Sequence, residues 1–173
     1  MPRSFDLSTD YVDSVEDLHR AFCEADYWRA RLADIPVDEA RLESIRVGGE
    51  SGDDGTIEVV TLQEVHSHNL PAMVTQLHRG DLYFRREETW GPVTDGVATA
   101  SIKGSIVDTP VNVSGTAELS PIARGGARLT FRVTIHVRIP LIGGKVEKII
   151  GTHLSDLVTR EQRFTTEWIT NNA

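Results

Sequence analysis

The feature that most constrains the fold of this chain is a long amphipathic stretch that follows Pro140 and continues to the C-terminus. Its apolar residues recur with the 3.6-residue period of an α-helix and fall within one broad sector of a helical wheel. This apolar sector contains Val146, Ile149, Ile150, Leu154, Leu157, Val158, Phe164, Trp168 and Ile169. A helix of about 27 residues is about 40 Å long at 1.5 Å per residue. An isolated helix cannot bury such a sector, so we expect it to lie on a large apolar surface.

A set of predicted β-strands supplies that surface. Their hydrophobic period is two, and turn-forming glycine, proline and aspartate residues separate most of them. The predicted strands are residues 3–10, 40–47, 56–66, 81–90, 97–107, 111–119 and 127–138. In the last of them five apolar residues, from Leu129 to Val137, alternate with polar ones. This alternation is typical of an antiparallel strand with one buried and one solvated face.

Two short helices are predicted before the second strand, one that follows Ser14 and one over residues 25–32. The order of elements predicts one α+β domain over residues 1–173, in which the terminal helix crosses a curved seven-stranded antiparallel sheet. We expect the helix and the sheet to enclose an apolar cavity.

This order of strand, two short helices, six antiparallel strands and long C-terminal helix resembles the START-like (SRPBCC) superfamily, which has the helix-grip fold. The stretch from Ile139 to Lys148, IPLIGGKVEK, resembles the start of the last helix in an actinobacterial family within it, the domain-of-unknown-function family 2505. The resemblance implies a cavity that binds lipids, polyketides, hormones or other hydrophobic molecules. Some members of the superfamily are cyclases, aromatases or hydratases and others only bind or transport, and no catalytic residue set is common to them.

The charge of the chain argues against some partners. It carries 26 acidic and 18 basic residues, and residues 1–58 alone hold 15 acidic against 6 basic ones. An acidic surface repels phosphate groups, so neither nucleic acid nor an anionic membrane is expected as a main partner. Solubility alone also explains the imbalance.

Cysteine usage and hydropathy indicate the compartment. Cys23 is the only cysteine, so no internal disulfide is expected and a reducing compartment is indicated. The first residues lack the apolar core of a signal peptide, and no apolar run has the length of a bilayer span. We therefore expect a cytoplasmic protein. No phosphate-binding loop, dinucleotide fingerprint or nucleophile elbow is present, so no cofactor is predicted.

Two polar residues interrupt the apolar sector of the terminal helix. At about 100° per residue, Glu161 lies near the centre of the sector and His153 lies beside Ile150 at its edge. A buried carboxylate without a partner is costly, so such a group normally has a partner or a function. Either Glu161 and His153 hold the hydroxyl or carbonyl of a ligand, or Glu161 forms a structural ion pair with an inward arginine such as Arg86.

The strand that contains Arg86 carries charges on both of its faces. Phe84, Arg86, Glu88 and Trp90 share one face, whereas Tyr83 lies on the other. Which face points into the cavity depends on the register of the strand, so the sequence leaves both possibilities open.

A further apolar segment, residues 69–79, has the spacing of a short amphipathic helix and acts either as a lid over the cavity or as core filling at the end of the sheet. Met73 of this segment is one of the residues predicted to bind a ligand. The full set is Glu161, His153, Leu157, Phe164, Ile150, Phe84, Arg86, Trp90, Met73 and Phe131. His66 and His68 have a spacing suitable for zinc, but no acid or cysteine follows at an obvious ligand spacing. We interpret them as solvated loop histidines and predict no metal site.

The leading functional hypothesis is the binding or transport of a small hydrophobic ligand between the sheet and the terminal helix. One alternative is an enzyme of the cyclase or hydratase type that uses Glu161 or His153 as an acid–base group. Another is an interaction module whose acidic N-terminal third docks a basic partner or in which the protein pairs with itself. The oligomeric state is left open by the sequence.

Overall fold

The computed structural model describes residues 2–35, 37–69 and 72–172, with all their side chains except those of Asn69, Met73, Val74 and Leu77. The strands are β1 (Arg3–Tyr11), β2 (Glu39–Val47), β3 (Ile57–Val65), β4 (Leu82–Trp90), β5 (Ala98–Ile106), β6 (Val111–Pro121) and β7 (Ala127–Val137). The helices are α1 (Val15–Phe22), α2 (Ala25–Ala33), α3 (Ala72–Leu77) and α4 (Gly143–Asn171). None of these helices combines the length and the apolar character that a membrane crossing requires.

The predicted strands and helices are confirmed, with small shifts of their ends. The largest difference is in the segment predicted as a helix over residues 69–79, because α3 occupies only Ala72–Leu77. Whether this segment forms a lid or fills the core lies outside the described residues, since the apolar side chains of α3 are among those not described.

The seven strands form one antiparallel sheet in the order β1-β7-β6-β5-β4-β3-β2. Each strand from β2 to β6 pairs with the next one along the chain, whereas β1 pairs with β7. The register of this last pair runs from Arg3 opposite Ile135 to Tyr11 opposite Ala127. Because α4 follows β7 directly, this pairing gives the helix two neighbouring strands, β7 and β1, on which to pack.

The core lies between α4 and the inner face of the sheet. The inward residues of β7, from Leu129 to Val137, are at most 6% exposed, which confirms the alternation predicted for this strand. Phe22, Trp28 and Trp90 form an aromatic group at one end of the core, with ring centroids 5.2–5.7 Å apart where they meet. The aromatic group joins α1 and α2 to the sheet.

Two small features fix the position of α4. A Cβ atom on Gly151 would overlap the ring of Phe5 in β1, so glycine allows the helix backbone to approach the sheet closely. Near the start of α4, the buried carboxylate of Glu147 accepts a hydrogen bond from the backbone N–H of Val137 at 3.0 Å. Gly151 and Glu147 therefore both lie on the buried side of α4. The apolar residues of the sequence alone predict a different centre for this buried side.

Candidate functional site

Two arginines and two glutamates form a buried charge cluster where α2 and α4 meet β4. The charge cluster comprises Arg31, Arg86, Glu88 and Glu161, whose side chains are between 4% and 12% exposed. Arg86 Nη1 donates to Glu161 Oε1 at 2.8 Å, and Arg31 Nη2 lies 2.6 Å from Glu161 Oε2. Glu88 is farther away, at 3.4 Å from Arg86 and 3.7 Å from Arg31. Of the two possibilities left open for Glu161, the ion pair with Arg86 is present, and the face of β4 that carries Arg86 points inward.

Arg31 is held in place by neighbours from both helices. Its guanidinium carbon lies 4.4 Å from the centroid of the Trp28 ring, and its Nη1 donates to the Tyr27 hydroxyl at 3.3 Å. The Tyr27 hydroxyl also contacts Thr165 Oγ1 at 2.6 Å, and Thr165 donates to the backbone carbonyl of Glu161 at 2.7 Å. Because the hydroxyl proton of Thr165 is donated to the Glu161 carbonyl, the Tyr27 hydroxyl donates to Thr165 Oγ1 and accepts from Arg31. This chain of hydrogen bonds fixes Arg31 against Glu161.

The charge cluster keeps Glu161 ionised. Burial alone would raise the pKa of Glu161, but attraction to Arg31 and Arg86, with the hydrogen bond from Arg86, holds that pKa below its usual range. Burial likewise opposes the charge of Arg31, yet attraction to Glu161 raises the pKa of Arg31 above its usual value. The formal charges of the two arginines and two glutamates cancel.

We expect the stability contributed by Glu161 to be lost in acid. Because the folded-state pKa lies below the unfolded-state value of about 4.3, the contribution is complete above that value and disappears as the pH falls through the folded-state pKa. The free energy of unfolding in urea, measured from about pH 7 to about pH 3, should fall more steeply for the wild type than for Glu161→Gln. Equal acid dependence in the two proteins would contradict this expectation.

Two voids lie beside the charge cluster, between α4 and the sheet. The outer cleft has a volume of about 40 Å³, and the inner void has a volume of about 10 Å³. The outer cleft is lined by Leu7, Phe84, Ile102, Gly104, Leu154 and Leu157, among others. The inner void is lined by Tyr11, Phe22, Arg31, Glu88, Trp90 and Leu129. Four of the described residues border both spaces: Arg86, Phe131, Val158 and Glu161.

These voids are far smaller than the predicted cavity. Small-molecule pockets usually measure about 300–1,000 Å³, whereas the inner void has room for roughly one water molecule. Half-buried Leu154 and Leu157 occupy the space between α4 and the sheet. An empty apolar space would forfeit dispersion contacts, so the side chains of the described residues close over it.

Six of the ten residues predicted to bind a ligand come together around the two voids, namely Glu161, Arg86, Phe84, Trp90, Phe131 and Leu157. His153 does not join them, because its side chain is exposed. The prediction that His153 lies in the buried face of the helix is therefore wrong. The buried side of α4 is centred on Glu147, Gly151 and Thr165, and His153 lies about 120° away from that centre.

Of the remaining three predicted residues, Ile150 and Phe164 are not among the described residues that line the two voids. Ile150 is half-buried and packs against the core, and Phe164 packs toward α2 with its ring centroid 6.2 Å from that of Tyr27. The side chain of Met73 lies outside the described residues. The part that these residues play in ligand binding stays a prediction.

Sequence reasoning missed Arg31, although it makes the shortest contact with Glu161. A signal was available, because Tyr27, Trp28, Arg31 and Leu32 are the buried residues of one short helix. An arginine among buried aromatic residues needs a carboxylate partner. Tyr11 and Gly104 gave no comparable signal, since only the pairing of the strands brings them to the voids.

The structure brings carboxylates to His66, although none follows it at a ligand spacing along the sequence. Asp38 Oδ1 lies 3.6 Å from His66 Nδ1, and Glu64 Oε1 lies 3.6 Å from His66 Nε2. Two overlapping groups, Asp38–His66–His68 and Glu64–His66–Asp81, have ligand atoms within 4.8 Å of one another. The ligand atoms of both groups are close enough together to hold a metal ion, so the absence of a metal site stays a prediction.

Solved structures share this architecture at low sequence identity. The Zhui aromatase/cyclase from Streptomyces sp. R1128 has a TM-score of 0.64 and 8% identity, with coverage of 98% of this chain and 94% of the other. Norcoclaurine synthase from Thalictrum flavum has a TM-score of 0.60 and 10% identity, with coverage of 98% and 87%. A protein from Thermus thermophilus has a TM-score of 0.60 and 13% identity, with coverage of 99% of both chains. These likenesses show the helix-grip fold.

Relatives of much higher identity occur in mycobacteria. Uncharacterised proteins of Mycobacterium tuberculosis and Mycobacterium bovis are each 75% identical to this chain over 173 residues, with coverage of 99% of both sequences. The sequence profile of the family described as "Protein of unknown function (DUF2505)" matches residues 6–169. With its helix-grip fold and a match over nearly its whole length, the chain belongs to the DUF2505 family.

Proposed function

We propose that this protein binds or transports a small hydrophobic molecule in the outer cleft between α4 and the sheet. The observation that carries the proposal is the composition of the cleft. Among the described residues, its walls are apolar side chains of α4 and five strands and Gly104, with the ion pair of Arg86 and Glu161 as the polar part. A mostly apolar pocket with a few convergent polar groups is the usual form of a small-molecule site. The ion pair gives the ligand an orientation.

The cleft has to widen when the ligand binds, and the packing of α4 favours widening on one side. The helix packs on β1, β7, α1 and α2, with Gly151 and Glu147 close to the β1–β7 side. Toward β4 and β5 it presents the half-buried side chains of Leu154 and Leu157. Rotation of these two side chains opens the cleft over Gly104 while the anchored side stays in place, and apolar contact with the ligand offsets the contacts that are lost.

A protein with the same fold supports the proposal of a small ligand. A structure of norcoclaurine synthase with a TM-score of 0.56 and 12% identity is a complex with dopamine and hydroxybenzaldehyde. A helix-grip protein thus accommodates small aromatic molecules. We extend this property to the present chain as part of the proposal.

Glu161 and His153 are the residues that the enzyme hypothesis would use as acid–base groups. Their surroundings favour binding over acid–base catalysis. Glu161 is paired with Arg31 and Arg86, which hold it as a weakly basic carboxylate. A general base or acid works best with a pKa near the working pH, and these arginines shift the pKa of Glu161 in the opposite direction. His153 is exposed and lies outside both voids.

Filling the cleft should weaken binding without unfolding the protein. A Cβ atom on Gly104 would be in ordinary van der Waals contact with Val113 and Phe84, so Gly104→Leu places its larger side chain in the space of the ligand. We expect N-phenyl-1-naphthylamine, a neutral apolar dye, to bind this variant roughly tenfold more weakly or worse. The increase in dye fluorescence measures binding, and urea unfolding checks that the fold is retained.

Ser101→Leu is the matched control, because it adds the same side chain to the exposed outer face of β5. This variant should bind the dye as the wild type does. Native mass spectrometry of the freshly purified wild type should also detect a retained small molecule, and Gly104→Leu should retain less of it. Equal dye affinity in wild type and Gly104→Leu would rule out the outer cleft as the site, and a wild type without saturable dye binding would refute the proposed function.

A further inference from the structure

The inner void is bordered by polar groups whose hydrogen bonds are incomplete. The indole N–H of Trp90, a residue 1% exposed, has no hydrogen-bond partner among the described residues. The hydroxyl of Tyr11, a residue 4% exposed, likewise makes no hydrogen bond within the described part of the chain. Among the side chains that the structure describes, the carboxylate of Glu88 has the two guanidiniums as its partners, at 3.4 and 3.7 Å. Buried polar groups are normally hydrogen-bonded, so the unpartnered indole N–H of Trp90, beside a void that Tyr11 and Glu88 also line, indicates a place for a polar atom.

A hydroxyl group matches these three neighbours better than other polar groups. The indole N–H of Trp90 can only donate and the carboxylate of Glu88 can only accept, whereas the hydroxyl of Tyr11 does either. A ligand hydroxyl accepts from Trp90 or Tyr11 and donates its own proton to Glu88. A carbonyl oxygen has no proton for Glu88, and an ammonium group has no lone pair for Trp90.

The charges around the inner void favour a neutral ligand. The formal charges of Arg31 and Arg86 are already balanced by those of Glu88 and Glu161 at contact distances. A ligand carboxylate would bring an unbalanced negative charge into this desolvated space beside Glu88. A ligand ammonium would bring an unbalanced positive charge beside the two guanidiniums. Burial of an unbalanced charge is strongly unfavourable, whereas a hydroxyl adds none.

We propose that the ligand is a neutral, hydroxyl-bearing apolar molecule, whose hydroxyl lies in the inner void among Tyr11, Glu88 and Trp90 and whose hydrocarbon part lies in the outer cleft. This inference rests on the proposed function, that the cleft binds a hydrophobic molecule. The two spaces share Arg86 and Glu161 in their walls, so one molecule reaches both. The inner void, at about 10 Å³, has room for one oxygen atom.

Three probes with the same eight-carbon chain test this inference, namely 1-octanol, octanoate and octylammonium. Each is titrated at about pH 7 against N-phenyl-1-naphthylamine bound to the wild type, Tyr11→Phe or Tyr83→Phe. We expect the wild type to bind 1-octanol roughly tenfold tighter than either charged probe. Tyr11→Phe should weaken 1-octanol binding by roughly fivefold to tenfold, because one hydrogen bond is lost. Tyr83 is 38% exposed on the opposite face of β4, so Tyr83→Phe should leave every affinity unchanged.

The possible failures separate this inference from the function on which it rests. If octanoate or octylammonium binds as tightly as 1-octanol, or if Tyr11→Phe binds 1-octanol like Tyr83→Phe, the hydroxyl assignment is overturned while hydrophobic binding stands. The same holds if the dye binds the wild type and no octyl probe displaces it. If the dye itself does not bind the wild type, the proposed function and this inference fall together.

Discussion

Replacement of Glu161 by alanine should lower the free energy of unfolding by about 3–5 kcal/mol. The carboxylate of Glu161 neutralises two buried guanidiniums, those of Arg31 at 2.6 Å and Arg86 at 2.8 Å. Without it the two guanidiniums stay buried and repel each other, and Glu88 at 3.4–3.7 Å compensates only one charge. Domains usually have a free energy of unfolding of about 5–15 kcal/mol, so the loss is a large fraction of the total. Urea unfolding followed by tryptophan fluorescence at about pH 7 measures it.

The exposed ion pair of Asp10 and Arg128 provides the matched control. Asp10 Oδ1 lies 2.7 Å from Arg128 Nε, but the two side chains are 49% and 51% exposed, so water screens their attraction and Asp10→Ala should lower the free energy of unfolding far less than Glu161→Ala. Glu161→Gln keeps the shape of the side chain and one acceptor, so we expect an intermediate loss, and it supplies the measurement if Glu161→Ala does not fold. Losses of the same size in Glu161→Ala and Asp10→Ala would mean that water screens the charge cluster, contrary to its burial.

The second large effect is expected for Trp28→Ala, at about 3–5 kcal/mol. Trp28 is 0% exposed, and its indole N–H donates to the backbone carbonyl of Phe22 at 2.8 Å. Its ring contacts those of Phe22 and Tyr27 at centroid distances of 5.7 and 5.4 Å, and the guanidinium of Arg31 lies over it. The substitution therefore leaves a cavity, an unpaired carbonyl and a less restrained arginine. Thermal or urea unfolding measures the combined loss.

Two comparison variants separate these contributions. Trp28→Phe keeps an aromatic ring beside Arg31 and removes the hydrogen bond to Phe22, so it should cost less than Trp28→Ala. Trp168→Ala removes an equally large ring from α4, but Trp168 is only half-buried, so its loss should also be smaller. If Trp168→Ala proves as destabilising as Trp28→Ala, the burial of Trp28 is not the source of its effect. Trp28→Ala and Glu161→Gln should be non-additive, because both act on Arg31.

The candidate site could be predicted in part, and the successes and failures have separate physical causes. The pairing of Glu161 with Arg86 could be predicted from the sequence, because an acid in an apolar helical sector needs a cation. Arg86 lies on a strand with apolar neighbours on the same face. His153 was misplaced because a helical wheel drawn from apolar residues ignores Gly151 and Glu147. Gly151 approaches the ring of Phe5 closely, and Glu147 accepts a hydrogen bond from the backbone of Val137. These two contacts turn the buried side of α4 away from His153.

The sequence by itself determined the elements of this protein and their order, because the periods of two and 3.6, together with glycine and proline at the turns, are local properties of the chain. Only the tertiary structure decided which face of β4 is buried, which arginines surround Glu161, and how little space remains beneath α4. These depend on strand register and on how closely two backbones approach, and such contacts join residues far apart in the sequence, such as Arg86 and Glu161, which are 75 positions apart. No local pattern records distances of that kind.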